Sequence, residues 1–288
     1  MEQKQSKTAF VLEGGAMRGL YTAGVLDVFM QNNISADAVY GVSAGALFGM
    51  NFKSRQIGRA IRYNLKYAHE KNYMSLYSLF TTGNIMNKEF CFDKIVNELD
   101  KLDYETYKNT PMDFYAVVTN VETGKAEYKK IDDAKEGLEI FRATGSMPFV
   151  SRLVEIEGNK YLDGAISDPI PIEKVIAEGY GKIVVVLTRE ENYQKPKERN
   201  PYNLVYGKYP NFVKTALAQP EFYNNTLKLI KKYEDEGKII VLRPSQNLKI
   251  ARVEKNLDKL KAIYQLGIDD STLNLEKIKN YLNEKIPS

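Results

Sequence analysis

Apolar and polar positions along the chain fall into two alternating textures. Near-continuous apolar runs occur in "TAFVLEG" (Thr8 to Gly14), "ADAVYGV" (Ala36 to Val42), "DFYAVVTNV" (Asp113 to Val121) and "KIVVVLTR" (Lys182 to Arg189). Runs of this kind read as strands covered on both faces. Between them, "LYTAGVLDVFMQNN" (Leu20 to Asn33) and "IPIEKVIAEGYG" (Ile170 to Gly181) repeat apolar residues three and four apart, and the second stops at a glycine. Strand and helix alternating in this way predict an α/β fold with a mainly parallel central sheet.

Beyond about Glu190 the texture changes. "ENYQKPKERNPYN" is polar and proline-bearing and reads as a linker or surface loop. After it, "EFYNNTLKLIKKYEDEG" has a helical pattern and "KIIVLRP" reads as one more strand. "KIARVEKNLDKLKAIYQLG" places Ile250, Val253, Leu257, Leu260 and Tyr264 at helical spacing before a stop at Gly267. The expected division is a core over residues 1–190 and a mostly helical extension over 191–288, packed on the core.

Composition narrows the class. With 43% hydrophobic, 27% charged and 11% aromatic residues in 288, the chain is neither disordered nor fibrous and is long enough to bury a full core. No apolar run approaches the roughly 18 residues of a spanning helix, and the first residues offer no signal-peptide apolar stretch, so a cytoplasmic location is expected. That leaves peripheral contact with a membrane open. Cys91 is the single cysteine, so no internal disulfide or cysteine-based metal site is expected. Charge is uneven: residues 195–288 carry 18 Lys and Arg against 11 Asp and Glu, whereas residues 1–194 carry 23 against 26. The basic region reads either as a solvated helical surface or as a face that approaches anionic lipid headgroups. Nothing in the pattern suggests a nucleic-acid partner.

Three short stretches carry candidate chemistry. In "YGVSAGALFG" Ser43 stands between Gly41 and Gly45 in the pattern G-x-S-x-G, with a strand before it and a helix start after it. The pattern is either a tight structural turn or one that lifts a serine hydroxyl out of the backbone surface, where the helix N-terminus favours negative charge beside it. In "LEGGAMRGL" a glycine-rich loop joins the first strand to the first helix, exposing backbone N–H groups as an anion-binding concavity. Its spacing fits neither nucleotide-binding pattern. The N–H groups of Gly15 and Ala16, with that of Ala44, suit an oxyanion hole, and Arg18 either reinforces the loop or lies on the surface.

The base is the remaining question. His69, the only histidine, sits in a basic, tyrosine-rich helical stretch with no turn or strand end to aim it at Ser43. "NKYLDGAISDPIPI" offers Asp163 instead, before Gly164, either as a base or as an ordinary turn residue. An aspartate, with a usual pKa of about 3.9, deprotonates serine poorly in water, but desolvation raises that value and strengthens the base.

Taken together, "GGAMRG" (Gly14 to Gly19), "GVSAG" (Gly41 to Gly45) and "DGA" (Asp163 to Ala165) occur in the order of the G-G-G-x-R-G, G-x-S-x-G and D-G-G or D-G-A motifs of the patatin-like phospholipases. The block "FRATGSMPFV", with Pro148, is similar to that family's segment ahead of its aspartate. The chain therefore resembles this family over about residues 8–190. The resemblance implies a three-layer α/β/α fold, a Ser43 nucleophile, an Asp163 base, oxyanion donors at Gly15 and Ala16, no metal and no cofactor. It also implies cleavage of carboxylic esters of lipids, such as a phospholipid or lysophospholipid, through an acyl-enzyme. A small-ester carboxylesterase or thioesterase with the same residues, and a noncatalytic lipid- or anion-binding protein, are the competing readings. One departure is Ala16, where the family loop has its third glycine; a position needing φ > 0 is strained by a methyl group.

Overall fold

A computed structural model describes residues 6–197, 201–247 and 249–284. The first half of the chain runs β1 (Thr8–Leu12), α1 (Leu20–Gln31), β2 (Ala38–Val42), α2 (Ala44–Lys53), α3 (Arg59–Tyr67), α4 (Leu76–Thr82), a stretch of π-helix over Phe90–Leu99, and α5 (Tyr104–Asn109). It continues with β3 (Asp113–Asn120), β4 (Ala126–Lys130), α6 (Leu138–Thr144), β5 (Val154–Ile156), β6 (Asn159–Asp163), α7 (Ile172–Ala177) and β7 (Lys182–Val186). The last third is α8 (Tyr202–Tyr206), α9 (Pro210–Asp235), β8 (Ile240–Leu242), α10 (Leu257–Leu273) and α11 (Leu275–Asn283).

The strands form one mixed, mostly parallel sheet in the order β5-β6-β3-β2-β1-β7-β8, with β4 on the other edge of β3. Its centre is apolar on both faces because each strand feeds two cores. In β1, Phe10 and Leu12 pack into the layer that holds α1, α2 and α10, while Ala9 and Val11 pack toward α7 and α9. The expected three-layer α/β/α architecture is the one observed.

The four strands expected from the apolar runs are β1, β2, β3 and β7, and "KIIVLRP" supplies β8, which pairs in parallel with β7. Three antiparallel strands, β4, β5 and β6, carry no such run: "AEYKK" and "NKYLD" are too polar to announce themselves. The C-terminal region thus completes the sheet through β8 and covers it through α10, which crosses α1 closely.

Two details differ from the periodicity. Helix α10 begins only at Leu257, since the Asn256 side chain accepts the Lys259 N–H at 3.0 Å and caps it; Ile250 and Val253 precede the helix in an irregular segment. Gly267 does not end the helix either. A Cβ there would collide with the Tyr21 carbonyl, as one at Gly24 would with that of Tyr264, so the two glycines permit the α1–α10 crossing. Helix α9 in turn starts earlier than its apolar pattern, with Pro210 in its first turn, and accommodates Pro220 inside. Of the polar linker read over residues 191–203, residues 198–200 lie outside those described.

Candidate active site

The registry of β3 brings the candidate site together. One edge of β3 pairs with β2 in parallel as far as Val42 opposite Val117, and with β6 in antiparallel from Asn120 back to Asp163 opposite Val118. Because β4 pairs with both stretches, Tyr115 to Thr119, from the opposite edge, β2 and β6 share the first edge and run toward each other along it. Their ends meet between Val117 and Val118. Ser43 is the residue after the end of β2, and Asp163 is the last residue of β6. Residues 120 apart in sequence therefore face each other, and Ser43 Oγ donates to Asp163 Oδ2 at 2.6 Å.

The turn after β2 is sharp. Ser43 has φ +52° and ψ −122°, a conformation few non-glycine residues adopt, with a cost of order 1–3 kcal/mol held by the surroundings. The surroundings are identifiable. Thr144 Oγ1 accepts the Ser43 N–H at 2.9 Å and donates to the Val117 carbonyl at 2.5 Å, and the Ser43 carbonyl accepts from Ala46 and Leu47 as α2 begins. Gly45 is required because a Cβ would sit on the Leu12 carbonyl oxygen; at Gly41 it would meet the Ala46 backbone, and at Gly164 the Val117 carbonyl. Each of these three glycines marks a backbone passing within contact of another backbone.

Asp163 is fixed with equal care. Its N–H donates to the Ser146 carbonyl at 2.9 Å, its carbonyl accepts from Thr119 Oγ1, and its Oδ1 accepts the Ala165 N–H at 2.9 Å. The "FRATGSMPFV" block thus touches both residues, through Thr144 and through Ser146. Asp163 is 4% and Ser43 7% exposed. Burial pushes the Asp163 carboxyl up to about 6, against the hydrogen bonds from Ser43 and Ala165 and the positive charges of Lys195 and Arg252.

The glycine-rich loop lies beside this pair. A Cβ on Gly14 would press on the Ser43 side chain, one on Gly15 on Thr188 and one on Gly19 on Ala44. Among the described residues the N–H groups of Gly15, Ala16 and Ala44 donate to no protein atom. Ala16 does take φ +49°, the left-handed region, so the methyl group in the third-glycine position costs about 1 kcal/mol. Arg18 and Pro148 line the outer cleft that contains Gly14, Gly15, Ser43 and Asp163. His69 is exposed and lines a separate surface depression with Leu76 and Tyr77, away from Ser43. No cluster of His, Cys, Asp or Glu among the described residues has the arrangement of a metal site.

Sequence reading missed the support behind the loop. Glu13 is buried at the end of β1, where its Oε2 accepts from Thr188 N at 2.5 Å and Thr188 Oγ1 at 3.1 Å, and its Oε1 from Tyr223 OH at 2.6 Å. Thr188 Oγ1 also approaches the Gly14 carbonyl at 3.1 Å. Burial raises the Glu13 pKa, and these bonds and Arg18 oppose the rise. The one available signal was an acidic residue directly after four apolar ones and before the glycines.

Two cavities meet at Ser43. An inner one of about 70 Å³ is walled by Met17, Leu47, Phe48, Met74, Phe92 and Ile95, the last two from the π-helix. The outer cleft is about 540 Å³ and more polar. A narrow, methionine-lined channel can repack around an aliphatic chain, and Arg59, Tyr63 and Asn64 line it as well.

A family model described as patatin-like phospholipase matches residues 10–176, and one described as a domain of unknown function (DUF6363) matches residues 209–283. The chain is 26% identical over 298 residues to the uncharacterized protein YjjU of Escherichia coli strain K12, covering 98% of this chain and 80% of that protein. The crystal structure of VipD from Legionella pneumophila overlays with a TM-score of 0.43 at 11% identity, covering 95% of this chain and 67% of that one. Because the first match spans more than half of its length, the chain belongs to the patatin-like phospholipase family and is a lipid acyl hydrolase.

Proposed function

We propose that this enzyme cleaves a carboxylic ester of a phospholipid or lysophospholipid with Ser43 as nucleophile and Asp163 as the only base. The observation that carries the reading is the 2.6 Å Ser43 to Asp163 hydrogen bond inside a desolvated site. Asp163 takes the hydroxyl proton as Ser43 Oγ bonds to the ester carbonyl carbon. The N–H groups of Gly15, Ala16 and Ala44, aimed at no protein acceptor, stabilise the negative charge on the carbonyl oxygen. Collapse of this tetrahedral species breaks the ester C–O bond, and the protonated Asp163 gives its proton to the departing alcohol. Water then repeats the steps: Asp163 deprotonates it, it attacks the acyl carbon, and Ser43 Oγ leaves with the proton returned. The inner cavity holds the acyl chain.

Intact-protein mass after incubation with a fluorophosphonate tests the nucleophile. One adduct per chain, mapped to Ser43, is expected, and a folded protein that takes up none would remove the acyl-enzyme from consideration. Turnover that falls as the acyl chain lengthens would favour the small-ester reading instead.

Peripheral membrane contact belongs to the same proposal. Helix α4 exposes Leu76 and Phe80, and α8 exposes Leu204 and Val205. Both helices flank the segment after Pro148: Ile85 N–H donates to the Val150 carbonyl, and the Phe149 ring lies 4.9 Å from that of Tyr202. Large apolar side chains around a cleft mouth suit insertion at the headgroup level. No helix among the described residues is long and apolar enough to cross a membrane. Phe80→Ser combined with Leu204→Ser is expected to weaken co-sedimentation with lipid vesicles by at least about a hundredfold, since each inserted side chain of this size contributes about 1.5 kcal/mol or more. Unchanged sedimentation would place the membrane-facing surface elsewhere.

A further inference from the structure

Among the described residues the outer cleft is lined by four cations, Arg18, Arg189, Lys195 and Arg252, against two carboxylates, Glu13 and Asp163. Both carboxylates are already engaged: Glu13 by Thr188 and Tyr223, and Asp163 by Ser43 and Ala165. Among the described residues neither Arg18 nor Arg189 has a carboxylate within ion-pair distance. The Arg18 Nε is buried without a hydrogen-bond partner. Arg189 stacks on the Tyr193 ring, 4.2 Å from its centroid, which fixes where its fork lies. Burial lowers the hold of Arg18 on its proton, and the like charges of Arg189 and Arg252 add to this, opposed by Glu13.

Holding like charges together is unfavourable unless something anionic arrives between them. The position of the cluster says what that would be. Among the described residues only Ala16, Ser43 and Met147 border both cavities, so an ester whose carbonyl sits at Ser43 with its acyl chain in the inner channel projects its alcohol portion into the outer cleft. Arginine forks match phosphate oxygens in pairs.

Resting on the catalytic reading above, we propose that the outer cleft is a phosphate subsite for the substrate's headgroup, selecting an acylglycerol phosphate with no compensating positive charge. Arg189, Lys195 and Arg252 lie outside the matched span of residues 10–176, so this specificity is contributed by the C-terminal third of the chain. A choline headgroup brings a further cation beside Arg18 and Arg189, and an uncharged acylglycerol leaves those two without an anion.

The test compares kcat/KM for monomeric 1-acylglycerol 3-phosphate, 1-acylglycerophosphocholine and 1-acylglycerol of one chain length. The wild type is expected to prefer the first over the last by at least about tenfold, the scale of one charge-assisted hydrogen bond. That ratio should fall toward one in Arg189→Gln, through KM, and also in Arg252→Gln, an exposed position whose replacement spares the core. A wild-type ratio near one, or a ratio that neither variant moves, overturns the subsite and leaves catalysis intact. Calorimetry on the full-length Ser43→Ala chain supplies an arm independent of turnover. Glycerol 3-phosphate binding that Arg189→Gln abolishes supports the subsite even if the catalytic reading fails. Inorganic phosphate binding lost in Arg189→Gln, with the lysolipid ratio unmoved, would mean a site for free phosphate and overturn the headgroup assignment.

Discussion

Asp163→Asn is expected to lower kcat/KM for a lysophospholipid by about 10³-fold while making the protein more stable above pH 6, the loss matching what a positioned general base contributes. Asparagine keeps the volume and can still accept the Ala165 N–H, but it cannot receive the Ser43 proton. The stability change follows from the same burial. The folded-state pKa of Asp163, about 6, lies above the ordinary value of 3.8. The folded state therefore binds the proton more tightly than the unfolded chain, and its stability is greatest below pH 4. It declines between pH 4 and 6 and is constant above. Asparagine escapes that decline, which for a shift of this size is on the order of 3 kcal/mol. Thermal melts of the two proteins at pH 4 and pH 8 check this: their difference should open only at the higher pH. A variant less stable than wild type at pH 8 would contradict the desolvation account. The pH dependence of wild-type kcat/KM carries the same signature. Activity should fall as pH drops through about 6, where the base becomes protonated. An acid limb near pH 4 would mean that Asp163 is better solvated than its 4% exposure implies.

Ser43→Ala is expected to abolish both the fluorophosphonate adduct and lipid turnover, by at least about 10⁴-fold, since no other hydroxyl takes its place against the base. Folding should survive. Alanine leaves the φ +52° backbone as strained as before, and the clamps from Thr144 and from the start of α2 use only main-chain atoms of residue 43. What is lost is one donor to the Asp163 carboxylate, so the Asp163 pKa should rise further. Residual turnover within a hundredfold of wild type, in a protein with an unchanged melt, would move the nucleophile away from Ser43.

Much of the fold and part of the candidate site were legible in the sequence. The buried parallel strands β1, β2, β3 and β7 announce themselves because a strand covered on both faces must be apolar at every position. The motif glycines were legible for a related reason: Gly41, Gly45 and Gly164 stand where backbones touch, and no other residue fits. The short strands β4, β5 and β6 were not legible, since "AEYKK", "VEI" and "NKYLD" are too short and polar to show a pattern, and β6 is placed by β3, far away in sequence. The expected end of α10 at Gly267 failed because a local rule for helix ends was applied to a glycine whose neighbour is Tyr21.

By itself, then, the sequence determined which residue types were available, the strained turn that carries Ser43, the loop with its free N–H groups, and an aspartate before a glycine. It could not determine that Ser43 and Asp163 meet, because that depends on β2 and β6 arriving from opposite directions at one point on one edge of β3. Nor could it set how tightly the Asp163 carboxyl holds a proton, which burial decides, or gather Arg18, Arg189, Lys195 and Arg252 in one cleft. Local conformation is encoded in neighbours along the chain; distance, desolvation and the summing of charge are properties of neighbours in space, and only the packed tertiary structure supplies those.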